Sequence, residues 1–152
     1  MNEKMMTNTN VTETEDKITS FKDLVVNSSH KCYNNIIVVN TTPHPVSIMD
    51  NDSIVDVPTG VLINATPTQE EVGPVGTDGM YITTIFKPNV TGWDTIEAIK
   101  KCFNSDENVV IVGSIIAAQA YPGYVCGLVP YPGYERTAQK LMRCDRFNVF
   151  LK

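Results

Sequence analysis

Four consecutive apolar residues, Val109-Val110-Ile111-Val112, constrain this chain more than any other segment. An unbroken run of that kind fits a central strand buried on both faces, not a half-solvated edge. Gly113-Ser114 follows at once, then Ile115-Ile116-Ala117-Ala118-Gln119-Ala120. The order reads as strand, tight turn and helix, with Ser114 placed to cap the free amides of the first helical turn. A second β-branched run, Ile36-Ile37-Val38-Val39-Asn40, has the character of another buried strand.

Between these two runs the chain reads as a meander. Thr42-Pro43-His44-Pro45 breaks the first strand. Val46–Met49 and Ser53–Val57 alternate apolar and polar residues around Asp50-Asn51-Asp52, the composition of a hairpin turn. Val61–Thr66 is a further strand candidate. Residues 66–79, rich in Gly, Pro and Glu, read as a polar loop, either mobile or folded over a ligand, before a strong strand at Met80–Phe86. Trp93, Ile96, Ile99 and Phe103 recur at helical spacing, with Lys100 and Lys101 in the last turn. Arg146–Leu151 reads as a closing strand. The expected fold is α+β: a largely antiparallel sheet with two or three helices packed against it.

The first 30 residues differ from the rest. They are polar and contain neither Gly nor Pro, except that Ile18, Phe21, Leu24 and Val25 fall on one helical face. Residues 1–30 are therefore expected to be an extension, partly disordered or a docking helix, and residues 31–152 a single α+β domain. Hydrophobic residues make up 42% and charged residues 19%, which is the balance of a chain that folds around a core. No apolar run approaches the ~18 residues of a membrane span, and the polar start has no apolar signal core. A cytoplasmic protein with no membrane association is the expectation.

Net charge is −5, which argues against nucleic-acid binding, since a duplex binder needs a basic footprint. The charge is uneven. All three arginines, Arg136, Arg143 and Arg146, lie in the last 17 residues. The four cysteines, Cys32, Cys102, Cys126 and Cys144, form no CxxC or CxxH unit, so local spacing predicts no metal site, and no cofactor is expected. An even count allows two disulfides, but with no signal peptide in view reduced buried thiols are the expectation.

The last third repeats itself. Tyr121-Pro122-Gly123-Tyr124 returns as Tyr131-Pro132-Gly133-Tyr134, and Pro-Gly at the central positions is a type II turn signal. Arg136, Arg143 and Asp145 lie close by in sequence. Tyrosine rings can stack a base, arginine forks hold phosphate, and a carboxylate binds ribose hydroxyls. The same residues could equally be core tyrosines and surface ion pairs. Ser114 offers a further anion contact at its turn. His44, held between two prolines, is either a ligand contact or a structural residue pinning a strand end. No nucleophile-elbow, P-loop or dinucleotide motif occurs, so the expectation is a protein that is not an enzyme.

Three segments resemble a family of small phage and prophage proteins. They are Val39-Asn40-Thr41-Thr42-Pro43-His44-Pro45-Val46, then Val110–Ala117, and finally Val129–Arg136 leading to Arg143-Cys144-Asp145. Among such proteins the chain resembles the Thoeris anti-defence sponges in its β-rich layout and C-terminal Arg-x-Asp element. In that family pattern Gln139 stands where a second arginine is expected. The resemblance implies a phage protein that sequesters a nucleotide second messenger of the cyclic ADP-ribose isomer class without cleaving it, in the cytoplasm of an infected bacterium. It implies a homodimer or higher oligomer, with Arg136 and Arg143 on phosphate, Asp145 on ribose, and Tyr131 or Tyr134 on the base. The alternatives are a virion accessory or protein-interaction protein that inhibits a host factor, and a nucleotide-processing enzyme using His44 with Asp50 or Asp145.

Overall fold

The computed structural model describes residues 20–135 and 140–151. The described chain opens with helix α1, seen over residues 20–27. Strands β1 (Ser29–Lys31), β2 (Ile36–Asn40), β3 (Val46–Asp50), β4 (Ser53–Val57), β5 (Thr66–Val75) and β6 (Gly79–Lys87) follow. Then come α2 (Val90–Lys100), β7 (Asn108–Val112), α3 (Ile115–Ala120), β8 (Gly127–Pro130) and β9 (Leu141–Asn148).

The strands form a three-stranded sheet β1-β2-β7, a four-stranded sheet β4-β3-β9-β8, and a separate ribbon β5-β6. Among the described residues four of the six strand pairings are antiparallel; β2 with β7 and β3 with β9 are parallel. The fold is α+β and dominated by its sheets.

The alternation of side chains along β2 and β7 sets the layers. Ile37, Val39 and Ile111 join Val25 of α1, Ile96 and Ile99 of α2, and Ala117 and Ala118 of α3 in one core. Val38 and Val112 point the other way and meet Ile48, Val57 and Cys144 of the second sheet. Successive side chains on a strand face opposite sides, so one short apolar run serves both cores. The helices thus share a core with one face of the first sheet, and the second sheet covers its other face.

Capping follows the sequence closely. Asn89 begins α2 and its side chain accepts from the Gly92 amide at 2.7 Å. Ser114 begins α3 and accepts from the Ala117 amide at 3.2 Å. In α1, Val25 is buried and Phe21 packs on the core, while Leu24 is exposed.

Four local expectations change. Among the described residues β7 lies at the edge of its sheet and β2 at the centre, although both faces of β7 are covered by core residues. Residues 66–79 are not a loop: Thr66–Val75 is β5, paired along its length with β6. Strand-poor residues are tolerated there because the ribbon has open edges and is largely solvated on both faces. Pro67 and Pro74 cost it no ladder through a neighbouring strand. Val61–Ala65 is irregular, yet Ile63 is buried in the core, so its apolar pattern reports burial, not strand. The closing strand runs from Leu141 to Asn148 and ends before Val149.

Asn40 explains the Asn-Thr-Thr-Pro-His segment. It is fully buried, and its amide nitrogen donates to the carbonyls of His44, Val57 and Pro58 at 2.9, 3.1 and 3.2 Å. Its oxygen accepts from the Thr42 amide and hydroxyl at 2.9 and 2.6 Å. Thr41 adds a hydroxyl bond to Val112 O at 2.7 Å. One amide side chain therefore holds the loop from β2 to β3 against the end of β4.

Candidate functional site

Two devices build a cleft at one end of the second sheet. The first is the β3–β4 turn. Asn51 and Asp52 both have positive φ, 47° and 68°, the twist that a two-residue hairpin turn requires. Glycine usually takes the second of these positions, so Asp52 holds a conformation that L side chains resist.

The second device lies in β9. Leu128 pairs with Phe147 and Pro130 with Met142, so Val129 alone stands opposite residues 143–146. The excess length bulges out. Bulges re-aim side chains, and this one carries Arg143, Cys144 and Asp145. A main-chain bond from Tyr131 N to Leu141 O at 2.8 Å brings the second Tyr-Pro-Gly-Tyr turn alongside.

The result is a cleft of about 280 Å³ lined by Tyr33, Asn51, Asp52, Tyr131, Arg143 and Asp145 among others. Arg143 grips Asp145 with two parallel bonds, Nε to Oδ1 at 2.8 Å and Nη2 to Oδ2 at 2.9 Å. Those bonds raise the guanidinium further above its usual range and hold the Asp145 carboxyl below its own. Arg146 donates to the Asp145 carbonyl at 3.0 Å. Tyr131 and Tyr134 form a tilted pair with ring centroids 6.3 Å apart.

Of the residues that sequence pointed to, Tyr131, Arg143 and Asp145 line this cleft, and Tyr134 adjoins it through Tyr131. Arg136 lies outside the described residues. Ser114 is engaged as the cap of α3, a helix of six residues. His44 is exposed; its main chain belongs to the Asn40 loop, and its ring makes no hydrogen bond or ion pair among the described residues. The carboxylates considered as its partners are engaged elsewhere, Asp50 by His30 at 2.6 Å and Asp145 by Arg143.

Sequence reasoning did not place Tyr33, Asn51 and Asp52 at this site. The Asp50-Asn51-Asp52 turn signal is visible in the sequence, but only the pairing of β3 with β9 puts that turn beside Arg143. The first Tyr-Pro-Gly-Tyr turn goes elsewhere. Tyr121 is fully buried, and Tyr124 meets Trp93 edge-on at 4.9 Å, with Lys100 Nζ 5.0 Å from its ring centre.

The four cysteines are free thiols, and burial pushes all four above their usual range, Cys32 to about 12. None is an activated thiolate nucleophile. Among the described residues no helix is long and apolar enough to cross a membrane. No protein-family model, curated protein or solved structure matches this chain.

Proposed function

We propose that this protein binds and sequesters a small nucleotide, of the cyclic ADP-ribose isomer class, without cleaving it, as a phage anti-defence sponge would. The observation that carries the reading is the convergence of Tyr131, Arg143 and Asp145 on one cleft. They supply an aromatic face, a planar cation and an acceptor for hydroxyls.

The charge of the cleft refines the chemistry. Arg143 is offset by Asp145, and Asp52 adds a further carboxylate. That balance favours a nucleoside portion, with hydroxyl and base edges, over a cluster of phosphates. The volume of about 280 Å³ is at the small end for ligand pockets and suits one nucleoside unit. A phosphate would be met by Arg146 at the rim, by Arg136, or by a second subunit.

The test is sequestration with recovery. The protein is incubated with cyclic ADP-ribose isomers and, separately, cyclic dinucleotides, and free ligand is quantified before and after heat denaturation. Loss followed by recovery of intact ligand supports a sponge. Loss without recovery means catalysis, and no loss with any of them sinks the reading. Retained capture by Arg143→Ala would move the site away from this cleft.

A second reading, direct interaction with a protein, is favoured by the β5–β6 ribbon. Val72, Tyr81 and Ile82 are 67%, 62% and 52% exposed, on an element whose strands, among the described residues, pair only with each other. Exposed apolar side chains and open strand edges are the features by which ribbons recruit partners, a second copy of the chain included.

A further inference from the structure

Directly beneath the cleft lies a cluster that nothing in the nucleotide reading uses. His30, on β1, and Asp50, at the end of β3, are joined by a 2.6 Å contact between Nε2 and Oδ2. Cys32 follows β1, and one ligand atom from each of His30, Cys32 and Asp50 lies within 4.8 Å of the others. Cys144, in the β9 bulge, packs in the same buried cluster as Cys32, and its thiol donates to Met49 O at 3.1 Å. Cys32 and Cys144 are buried, whereas the His30 and Asp50 side chains keep 27% and 13% of their exposure. A sulfur, an imidazole and a carboxylate thus meet, closed to solvent on the sulfur side and open on the other.

We infer that His30, Cys32 and Asp50 form a site for a thiophilic divalent metal, Zn²⁺ above all. Mixed sulfur and nitrogen donors select zinc over magnesium or calcium, and three protein ligands leave a fourth position for water on the exposed side. The dimensions suit it. Zinc bonds of about 2.0 Å to nitrogen or oxygen and about 2.3 Å to sulfur give tetrahedral edges of roughly 3.3–3.8 Å. His30 and Asp50 move apart from direct contact as the metal enters between them. The Tyr33 amide, which donates to the other Asp50 oxygen at 2.9 Å, fixes the carboxylate as an outer partner of a metal ligand does. The Cys32 thiol gives up its proton to solvent on binding.

The site ties the end of β1 to the end of β3, where the turn that helps shape the cleft begins. It stands or falls independently of what the cleft binds.

The experiment uses the full chain, reduced and stripped with a chelator that is then removed, and titrated with Co²⁺ and with Zn²⁺. One equivalent of Co²⁺ should give sulfur-to-metal charge-transfer absorption and tetrahedral d–d bands, and Zn²⁺ should displace it. Cys32→Ser should remove the charge-transfer band, and His30→Gln should weaken Zn²⁺ binding at least about tenfold. Cys102→Ser and Cys126→Ser should leave it intact. Should Cys32→Ser fail to fold, zinc X-ray absorption of the unaltered protein decides: one sulfur neighbour among nitrogen and oxygen neighbours is expected, and no sulfur neighbour overturns the proposal. Absence of a charge-transfer band overturns the proposal. So does a Cys32–Cys144 disulfide forming in a protein whose reduced form binds no metal.

Discussion

The Tyr121 hydroxyl occupies the space where a Cβ on Gly92 would be. Gly92 lies in the first turn of α2, and the tyrosine crosses it to donate to Asn64 O at 2.8 Å and accept from Asn89 N at 3.1 Å. Trp93 closes the contact edge-on, with ring centroids 5.0 Å apart. Gly92→Ala should therefore destabilise the protein by about 1–3 kcal/mol through overpacking, far beyond any gain in helix propensity. Thermal unfolding checks it, with a fall in Tm of roughly 2–4 °C per kcal/mol expected for a chain of this length. Unchanged stability would mean that Tyr121 is free to move aside.

Asn40 should be intolerant of substitution although no ligand role is assigned to it. Asn40→Ala removes three donated bonds and leaves buried carbonyls without their partner, at a cost of about 2–4 kcal/mol. Asn40→Asp keeps the shape and the acceptor but not the donors, and should be no better. Denaturant titration of both variants tests this, and a near-neutral Asn40→Asp would show that the donated bonds contribute little.

The Arg143–Asp145 pair gives stability a direction in pH. The Asp145 carboxyl is lowered by its bonds from Arg143, against some desolvation, with the charges of Arg143 and Arg146 adding to the effect. A group lowered in the folded state contributes stability that is fully present above its unfolded pKa, about 3.9. That contribution is lost as pH falls through the folded value. Asp145→Asn should thus lose less stability than the parent between about pH 5 and pH 2. The carboxylate is partly exposed, so solvent screens the pair and the difference should be small.

Arginine, not positive charge alone, should matter at residue 143. Arg143→Lys cannot span both Asp145 oxygens, so it should weaken capture of a cyclic ADP-ribose isomer at least about tenfold, much as Arg143→Ala does. Equilibrium dialysis with the intact ligand measures it. Full capture by the lysine variant would show that only a point charge is needed.

On the proposal that a second copy of the chain docks on the ribbon, one substitution there should separate assembly from folding. Ile82→Lys lies on a two-stranded element that pairs with no other strand, so monomer stability should change by no more than about 0.5 kcal/mol. Self-association, followed by light scattering over a range of concentrations, should be lost. An unaltered oligomer would place the subunit contact elsewhere.

Much of this protein is local and was legible in the chain. The Val109–Val112 run, the Ser114 cap, the helix carrying Ile96 and Ile99, and the Asn51-Asp52 turn each follow from periodicity or turn chemistry within a few residues. β5 did not, because an exposed ribbon has no buried face to impose an apolar pattern on its residues. The cleft was half legible: Arg143 and Asp145 are near neighbours in sequence, but Asn51 and Asp52 reach them only through the parallel pairing of β3 with β9. The cluster of His30, Cys32 and Asp50 lay beyond sequence reasoning altogether. Their spacings match no local ligand motif, and what brings them together is the stacking of one sheet on the other. The sequence by itself determined which segments are strands, helices and turns wherever burial or capping leaves a periodic mark. Only the tertiary structure decided which side chains meet, because sheet register and layer packing depend on contacts between residues far apart in the chain.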